Sequence, residues 1–592
     1  MKASVLKSWT VDLLAVFLAS TLLYVAFGFL RPIFNPDEGR YSEIPREMIA
    51  SGDYITPRLN GLPYFYKPPL FYWMQCASFK AFGYNRTSIR LASSMMAVLG
   101  ICLVYVVGRF LNGRSAGLFA SAILASTLFY YAIGQIVTLD MTVSVMMSIA
   151  MFALFGVFKT NCCRNLLILM FWVFCALAVM TKGIIGIMIP SAVGFLYLIF
   201  GGKKRFFAFY NSISKLNFVS CVIGIILFFA ITLPWHILVC LANPALETSE
   251  GIFSLNPHGQ GFFWYYFINE HFLRFVDSST AMREQPFWFF IVLAPVGFIP
   301  WVFLLPKAIK NLISSDDSRL RDFLSFAIVW ILFVVGFFSL SSSKLIPYIT
   351  AVYPPMAVIV GLFFSQVWEN LKTANLRVQK ILMISLGLAS SLAFIIAYYI
   401  LAKRKTLEPE VLEICFWGAL VISCVMAIIS FFAIAFYRRK EEKKFWGIVF
   451  VGMFSLCASF NVNAAMAQGI SAERLAEKII ELRKDEPIAI AFNYGRFHDL
   501  PVWLNETLLF VGEPPHEQRF GWKREMHLHK HRIFPDGKSL KDFLKRNKKL
   551  WVVIQSKSMG RLDDLKLPLL KKEIARNQNT FVYEISLKDE GK

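Results

Sequence analysis

The chain has 592 residues, of which 56% are apolar and only 17% charged, and its mean hydropathy is +0.54. That balance excludes a water-soluble globule, and the recurrent uncharged runs match the roughly 20 residues a helix needs to cross about 30 Å of hydrocarbon. The formal net charge of +22 sits in short loops between apolar runs rather than along one soluble face, so it reads as a topology signal and not as a nucleic-acid surface.

Taken in chain order, the apolar runs predict a polytopic α-helical membrane protein with about thirteen spans. They centre near Val16, Leu99, Leu124, Met147, Cys175, Val193, Ile226, Val292, Trp330, Val358, Ala389, Ile422 and Met453. The first run, Val11 to Leu30, lacks a small-residue cleavage site and reads as a retained anchor. Basic residues crowd alternate loops, at Lys203 to Arg205, Lys307 to Arg321 and Arg438 to Lys444, which predicts a cytoplasmic N-terminus. The loops 31–88 and 241–285 and the C-terminal tail then lie on the outer side. From about Ser471 the chain turns charged, and strand-like runs ("PIAIAF", "LWVVIQ") alternate with helix-like ones ("AERLAEKIIELRKD"). We therefore expect a membrane domain over 1–465 and a small soluble α/β domain over 466–592. The ten cysteines lie almost all within apolar runs and form no CxxC pair, so neither a disulfide framework nor a zinc ribbon is expected.

Chemistry-bearing residues gather in the outer segments. In "NPDEGRYSEIPRE", Asp37, Arg40 and Tyr41 share one face if the segment is helical, with Glu38 beside them. The continuation "YITPRLNGLPYFYKPPLFYW" sets Tyr64 and Lys67 among interfacial aromatics, where an ammonium suits the phosphate of a membrane-embedded lipid or simply snorkels. Asp140 in "VTLDMT" is an ionisable group near the start of an apolar span, a functional candidate by default. In "WYYFINEHFLRF", Glu270, His271 and Arg274 lie within one helical turn, with Glu270 and Arg274 set to pair. In "SLSSSKLIPYITAVYPP", Lys344 and Tyr348 stand four apart in a stretch interrupted by prolines. Each cluster alone is also compatible with an interfacial anchor, but their common placement on one side points to a site.

These stretches, taken in order from about Val11 to Gly361, resemble the GT-C glycosyltransferases, most nearly the aminoarabinose transferases that modify lipid A and the related protein mannosyltransferases. The resemblance implies transfer of a sugar from a polyprenyl-phosphate donor to lipid A or another envelope acceptor at the periplasmic face of the inner membrane, with inversion at the anomeric carbon. It implies that Asp37 is the essential acid of the first outer loop, followed by Glu38, Arg40 and Tyr41. Lys67 would contact the donor phosphate, with Tyr64 beside it and Arg274 sharing it. Asp140 would be a second acid lining the cavity, and Tyr348 a tyrosine near the donor. The chain departs from the pattern at Tyr66, where relatives often carry an acid before the lysine. No cofactor is required by such a displacement, and a divalent cation is optional.

A lipid-linked sugar transporter is the other class considered, but the charged clusters lie at one surface rather than near mid-membrane, and no repeated halves are visible. A non-catalytic scaffold would leave the paired acids and cations without use. Neither a Walker loop nor a dinucleotide fingerprint is present, in keeping with a lipid-linked donor. The alternating His527, His529 and His531 are flanked by arginine and lysine and read as a solvated loop rather than a zinc site.

Overall fold

The structure is a computed structural model that describes residues 2–588 apart from 27, 162, 204–206, 208–209, 211–213, 248, 250–258, 274–284, 342, 373, 404–408, 465–470, 484–487, 494–496 and 578–579. Every predicted span centre falls on a helix. By length and apolarity, nine helices among the described residues can cross a membrane, or ten if the bent pair Phe289–Gly297 and Trp301–Ile313, 95° apart, is one span. Two of the missing spans have identifiable causes. The centres Leu99 and Leu124 share one 40-residue element, α4 (Arg86–Ala125), and α8 (Ile185–Phe200) has only 16 residues.

α4 is two arms. Backbone angles leave the helical region at Asn112 and Gly113, and Gly113 adopts φ +77°, which a residue without Cβ takes at no steric cost. The arms fold against each other so closely that a Cβ on Gly117 would lie 2.6 Å from the Tyr105 carbonyl oxygen. The helix Tyr353–Val367 approaches the second arm in the same way, with Gly361 against Ala120. Small residues of this kind let membrane helices pack where no hydrophobic drive separates them from lipid. At the end of the bundle away from the outer loops, α1 (Lys2–Val25) is pinned to α4 by the buried Asp12, which pairs with Arg109 at 2.6 Å and Arg114 at 2.8 Å.

At the opposite end the first loop is ordered as α2 (Asp37–Ser51), the hairpin β1 (Arg58–Leu59) and β2 (Leu62–Pro63), and α3 (Leu70–Phe82). The remaining helices that carry the site are α5 (Leu128–Gln135), α6 (Leu139–Lys159), α7 (Arg164–Lys182) and a π-helix at Trp264–Leu273.

The C-terminal lobe is a six-stranded sheet of order β5-β4-β3-β6-β8-β7. Its strands are β3 (Ile490–Asn493), β4 (Leu509–Val511), β5 (Ile533–Phe534), β6 (Leu550–Gln555), β7 (Leu569–Asn577) and β8 (Thr580–Leu587). β3 to β6 are mutually parallel, and β8 and β7 extend the sheet antiparallel. Along β6, Trp551 and Val553 enter one core while Val552 and Ile554 enter the other, so helices cover both faces. The expected strands "PIAIAF" and "LWVVIQ" and the helix at Glu473–Arg483 are all present.

The lobe is stapled to the first outer loop. Arg58 pairs with Glu525 at 2.9 Å, Arg86 with Glu473 at 2.8 Å, and the Asn60 side chain exchanges hydrogen bonds with the backbone of Leu508. The Asn35 amide donates to the buried Asp499 carboxyl at 2.5 Å, and Ser471 Oγ and the Ala472 N–H donate to the same group at 2.8 Å each. Burial pushes Asp499 up to about 6 despite those three donors. A carboxyl raised in the fold contributes stability that is complete below its ordinary pKa and is lost as pH climbs through the folded value. The shift is worth ~3 kcal/mol, lost between about pH 4 and 7. Thermal melting of the full chain across that range is expected to show the decline, and Asp499→Asn to flatten it. Parallel profiles for the two proteins would overturn the assignment.

Candidate active site

Two neighbouring acids at the start of α2 part company. Both lie in the first turn, where the helix dipole favours negative charge. Glu38 turns inward and is fully buried, accepting from Arg31 and Arg90 at 2.8 Å each and from the backbone N–H groups of Phe34 and Val137 at 2.8 and 3.0 Å. Burial alone would raise its pKa, but the two guanidiniums outweigh it and hold the carboxyl below its usual range. Glu38, expected from the sequence among the site residues, is buried in this network, where it ties α2 to Arg90 of α4 and to the segment following α5. Asp37 faces outward with 46% of its side chain exposed and lies 3.4 Å from Arg40.

Arg40 is the hub of the outer charged cluster. Its guanidinium reaches Asp37, Glu517 of the C-terminal lobe at 2.9 Å and the Tyr64 hydroxyl at 3.2 Å. Burial works against its charge, but Tyr64, Glu517, Tyr41 and Asp37 outweigh burial and push its pKa above the ordinary arginine value. Burial, partly offset by Arg40, pushes the Tyr64 phenol up to about 12. Tyr41 packs its ring against Phe71 and Tyr72 of α3, 6.0 and 6.2 Å between centroids, so it braces the helix that carries Asp37 and Arg40.

From Tyr64 an aromatic ladder leads to Lys67. Tyr64 stacks on Tyr66 at 4.7 Å, Tyr66 meets Tyr265 of the π-helix at 5.2 Å, and Tyr265 meets Phe520 of the lobe at 4.3 Å. The Lys67 ammonium lies 3.7 Å from the Glu270 carboxylate, whose side chain is only 4% exposed. Lys67 thus takes a counter-charge from the π-helix, while Tyr66 joins the ladder. Next to Glu270, His271 shares a hydrogen of its Nδ1 with the Tyr266 carbonyl at 2.6 Å. A carbonyl only accepts, so Nδ1 carries the proton; burial holds the ring below its usual pKa and leaves Nε2 with a lone pair. That nitrogen abuts Gly183, where φ is +89° and an added Cβ would come within 2.4 Å.

Gly183 joins this cluster to a second one. Lys182, the last residue of α7, pairs with Asp140 in the first turn of α6 and sits 4.3 Å over the Tyr348 ring. Both partners of the ion pair are 11% exposed. Lys344 does not join them, because its ammonium donates to the Gln285 and Ser341 carbonyls at 3.0 and 2.6 Å, closing the end of the helix Ser318–Leu340. Arg274, and with it the expected Glu270–Arg274 pair, lies outside the described residues.

Sequence reasoning missed two residues. Glu517, which also accepts from or shares a proton with His498 Nε2 at 2.8 Å, belongs to a charged helix of the lobe with no local signal to mark it. Lys182 carries a signal, a cation at the end of an apolar run, but spacing does not join it to Asp140. His529 proves buried against Glu525 at 3.0 Å in a turn, not solvated. Among the described residues, no three His, Cys, Asp or Glu side chains gather as a metal site would require.

Comparison with known proteins places this architecture. The family of dolichyl-phosphate-mannose-protein mannosyltransferases matches residues 66–235. The undecaprenyl phosphate-α-4-amino-4-deoxy-L-arabinose arabinosyl transferase of Shewanella sediminis is 28% identical over 79% of this chain and 80% of its own length. The enzyme of the same name from Aeromonas hydrophila is 25% identical over 84% of each chain. The crystal structure of ArnT from Cupriavidus metallidurans bound to undecaprenyl phosphate shares the fold, with a TM-score of 0.77 at 24% identity over 98% of both chains. The multi-pass helical bundle carrying an α/β lobe is the fold shared with that structure. The chain is thus similar to these arabinosyl transferases along most of its length and to the mannosyltransferase family over residues 66–235, and it shares the fold of the ArnT structure.

Proposed function

We propose that this enzyme moves a sugar, in first place 4-amino-4-deoxy-L-arabinose, from undecaprenyl phosphate to lipid A at the periplasmic face of the inner membrane, the N-terminus being cytoplasmic. The observation that carries this is the Lys67 ammonium, held by the buried Glu270 at the end of an aromatic ladder and continuous through His271 and Gly183 with Lys182 and Asp140. Breaking the bond from the anomeric carbon to the phosphate leaves the electron pair on a phosphate oxygen. Lys67 meets that charge, and the aromatic rings carry the lipid end of the donor. The acceptor oxygen attacks the opposite face and inverts the centre.

Asp37, exposed at the cavity and aligned by Arg40, orients the acceptor or takes its proton if the acceptor is a hydroxyl. Asp140 and Lys182 form the second wall, with Tyr348 beneath them. The relatives' names support the donor and the sugar, and the basic residues of alternate loops support the orientation.

The test is mass spectrometry of lipid A from cells with the chain, without it, and with Asp37→Asn at equal expression. A species heavier by one aminoarabinose is expected only in the first. Unchanged lipid A together with a sugar lost from a glycoprotein or polysaccharide would move the acceptor; no change anywhere would end the proposal.

A further inference from the structure

A second cavity plays no part in the chemistry above. It measures about 300 Å³ and opens between three parts of the chain: Asp53 and Arg58 of the first outer loop, Asn243 at the outer end of the span Lys215–Ala242, and Arg524, Glu525 and His527 of the lobe. Its depth is set by that span end, because Asn243 Nδ2 donates to Thr56 Oγ1 at 2.9 Å and Trp235 Nε1 donates to the Ile55 carbonyl at 3.0 Å. A cavity tied to the last residue of a membrane helix lies at headgroup level.

Its carboxylates are already matched. Glu525 takes Arg58 at 2.9 Å and His529 at 3.0 Å, and Asp53 accepts the backbone N–H groups of Ile55 and Thr56. Arg524 donates one N–H to the Gln260 carbonyl at 3.1 Å, and among the described residues no carboxylate lies within ion-pair distance of it. Lys523, His527 and Lys530 are exposed on the same segment, and between them Met526 and Leu528 stand 44% and 54% exposed. Lysines interleaved with bare apolar side chains beside a span end suit an anionic lipid surface. The cavity also adjoins the cluster of proposed catalytic residues. Arg524 grips Gln260, just ahead of the π-helix that carries Glu270 and His271, and Phe520, one turn before Arg524, packs on Tyr265.

We propose that this cavity binds the phosphate-bearing headgroup of the acceptor lipid, with Arg524 on the phosphate and His527 beside it, and so delivers the acceptor to the side of the catalytic cavity facing the lobe. This rests on the proposal that the acceptor is a lipid. Arginine suits the task because its planar donors meet two phosphate oxygens at once.

The experiment uses the full chain in nanodiscs, with lipid A, phosphatidylglycerol and inorganic phosphate as probes. Native mass spectrometry is expected to find lipid A bound to the wild type, and Arg524→Gln to weaken it about tenfold, the scale of a lost charge-assisted pair. In turnover, the same variant is expected to raise KM for lipid A about tenfold while KM for the donor stays. His527→Gln, at an exposed position that does not threaten folding, is expected to weaken lipid A in the same direction and carries the test if Arg524→Gln does not fold. Wild-type lipid A binding by both variants would overturn the proposal whatever the turnover. Displacement of lipid A by millimolar phosphate, or equal binding of phosphatidylglycerol, would overturn the assignment to an acceptor headgroup. Arg524-dependent binding of lipid A with no transfer by any protein would uphold the cavity and instead remove the transferase reading.

Discussion

Lys67→Met is expected to lower kcat by about 100- to 1000-fold, the usual cost of removing one group that meets charge developing in a transition state. The methionine keeps the length and apolar bulk of the stem, so the aromatic ladder from Tyr64 to Tyr265 stays packed and only the charge is lost. Glu270 makes the test sharper, since its carboxylate is almost fully buried 3.7 Å from the ammonium. With the lysine charge gone, that carboxylate repels the donor phosphate as well. The double variant Lys67→Met with Glu270→Gln is therefore expected to bind the donor better than Lys67→Met alone while remaining as slow. Single-turnover kinetics with saturating donor separates the two effects. A Lys67→Met enzyme within tenfold of wild type would mean that the leaving phosphate is held elsewhere.

Glu38→Gln is expected to act on stability where Asp37→Asn does not. Glu38 neutralises two buried guanidiniums, Arg31 and Arg90, with five hydrogen bonds to its two oxygens from side chains and backbone. Removing the charge leaves two cations facing each other without water, a loss of about 3–5 kcal/mol by comparison with other broken buried pairs. Replacing Asp37, half exposed and bound to Arg40 at 3.4 Å, removes an interaction that water and Glu517 partly replace. Melting temperature of the detergent-solubilised chain distinguishes them: a clear fall for Glu38→Gln, little change for Asp37→Asn. Equal melting temperatures would show that the buried triad is not what holds the first loop.

The membrane part was legible because lipid leaves the chain few choices. Each predicted centre, from Val16 to Met453, lies on a helix, since backbone groups in hydrocarbon must bond within their own segment. The reversal inside α4 was legible too, as two centres, where length alone merges them. The lobe announced itself in the same local terms, through the alternation of Trp551, Val552, Val553 and Ile554 between two cores.

The site was legible only as a set of outer clusters. No local rule sends Asp37 to the cavity and its neighbour Glu38 into the core; Arg31 and Arg90 decide that, because an acid between two buried cations is worth more inside than in water. Nor does spacing show that Lys67 takes its counter-charge from Glu270, that Lys182 takes Asp140, or that Lys344 is spent on carbonyls. The sequence by itself determined a multi-span membrane protein, its soluble lobe and the outer residues that carry charge, since hydropathy and periodicity are local. Only the tertiary structure decided which charges meet. Arg40 finds Glu517 from the far end of the chain once the lobe docks on the first loop, and in a low-dielectric cavity such pairing between distant segments sets which groups are held for structure and which are left to face a substrate.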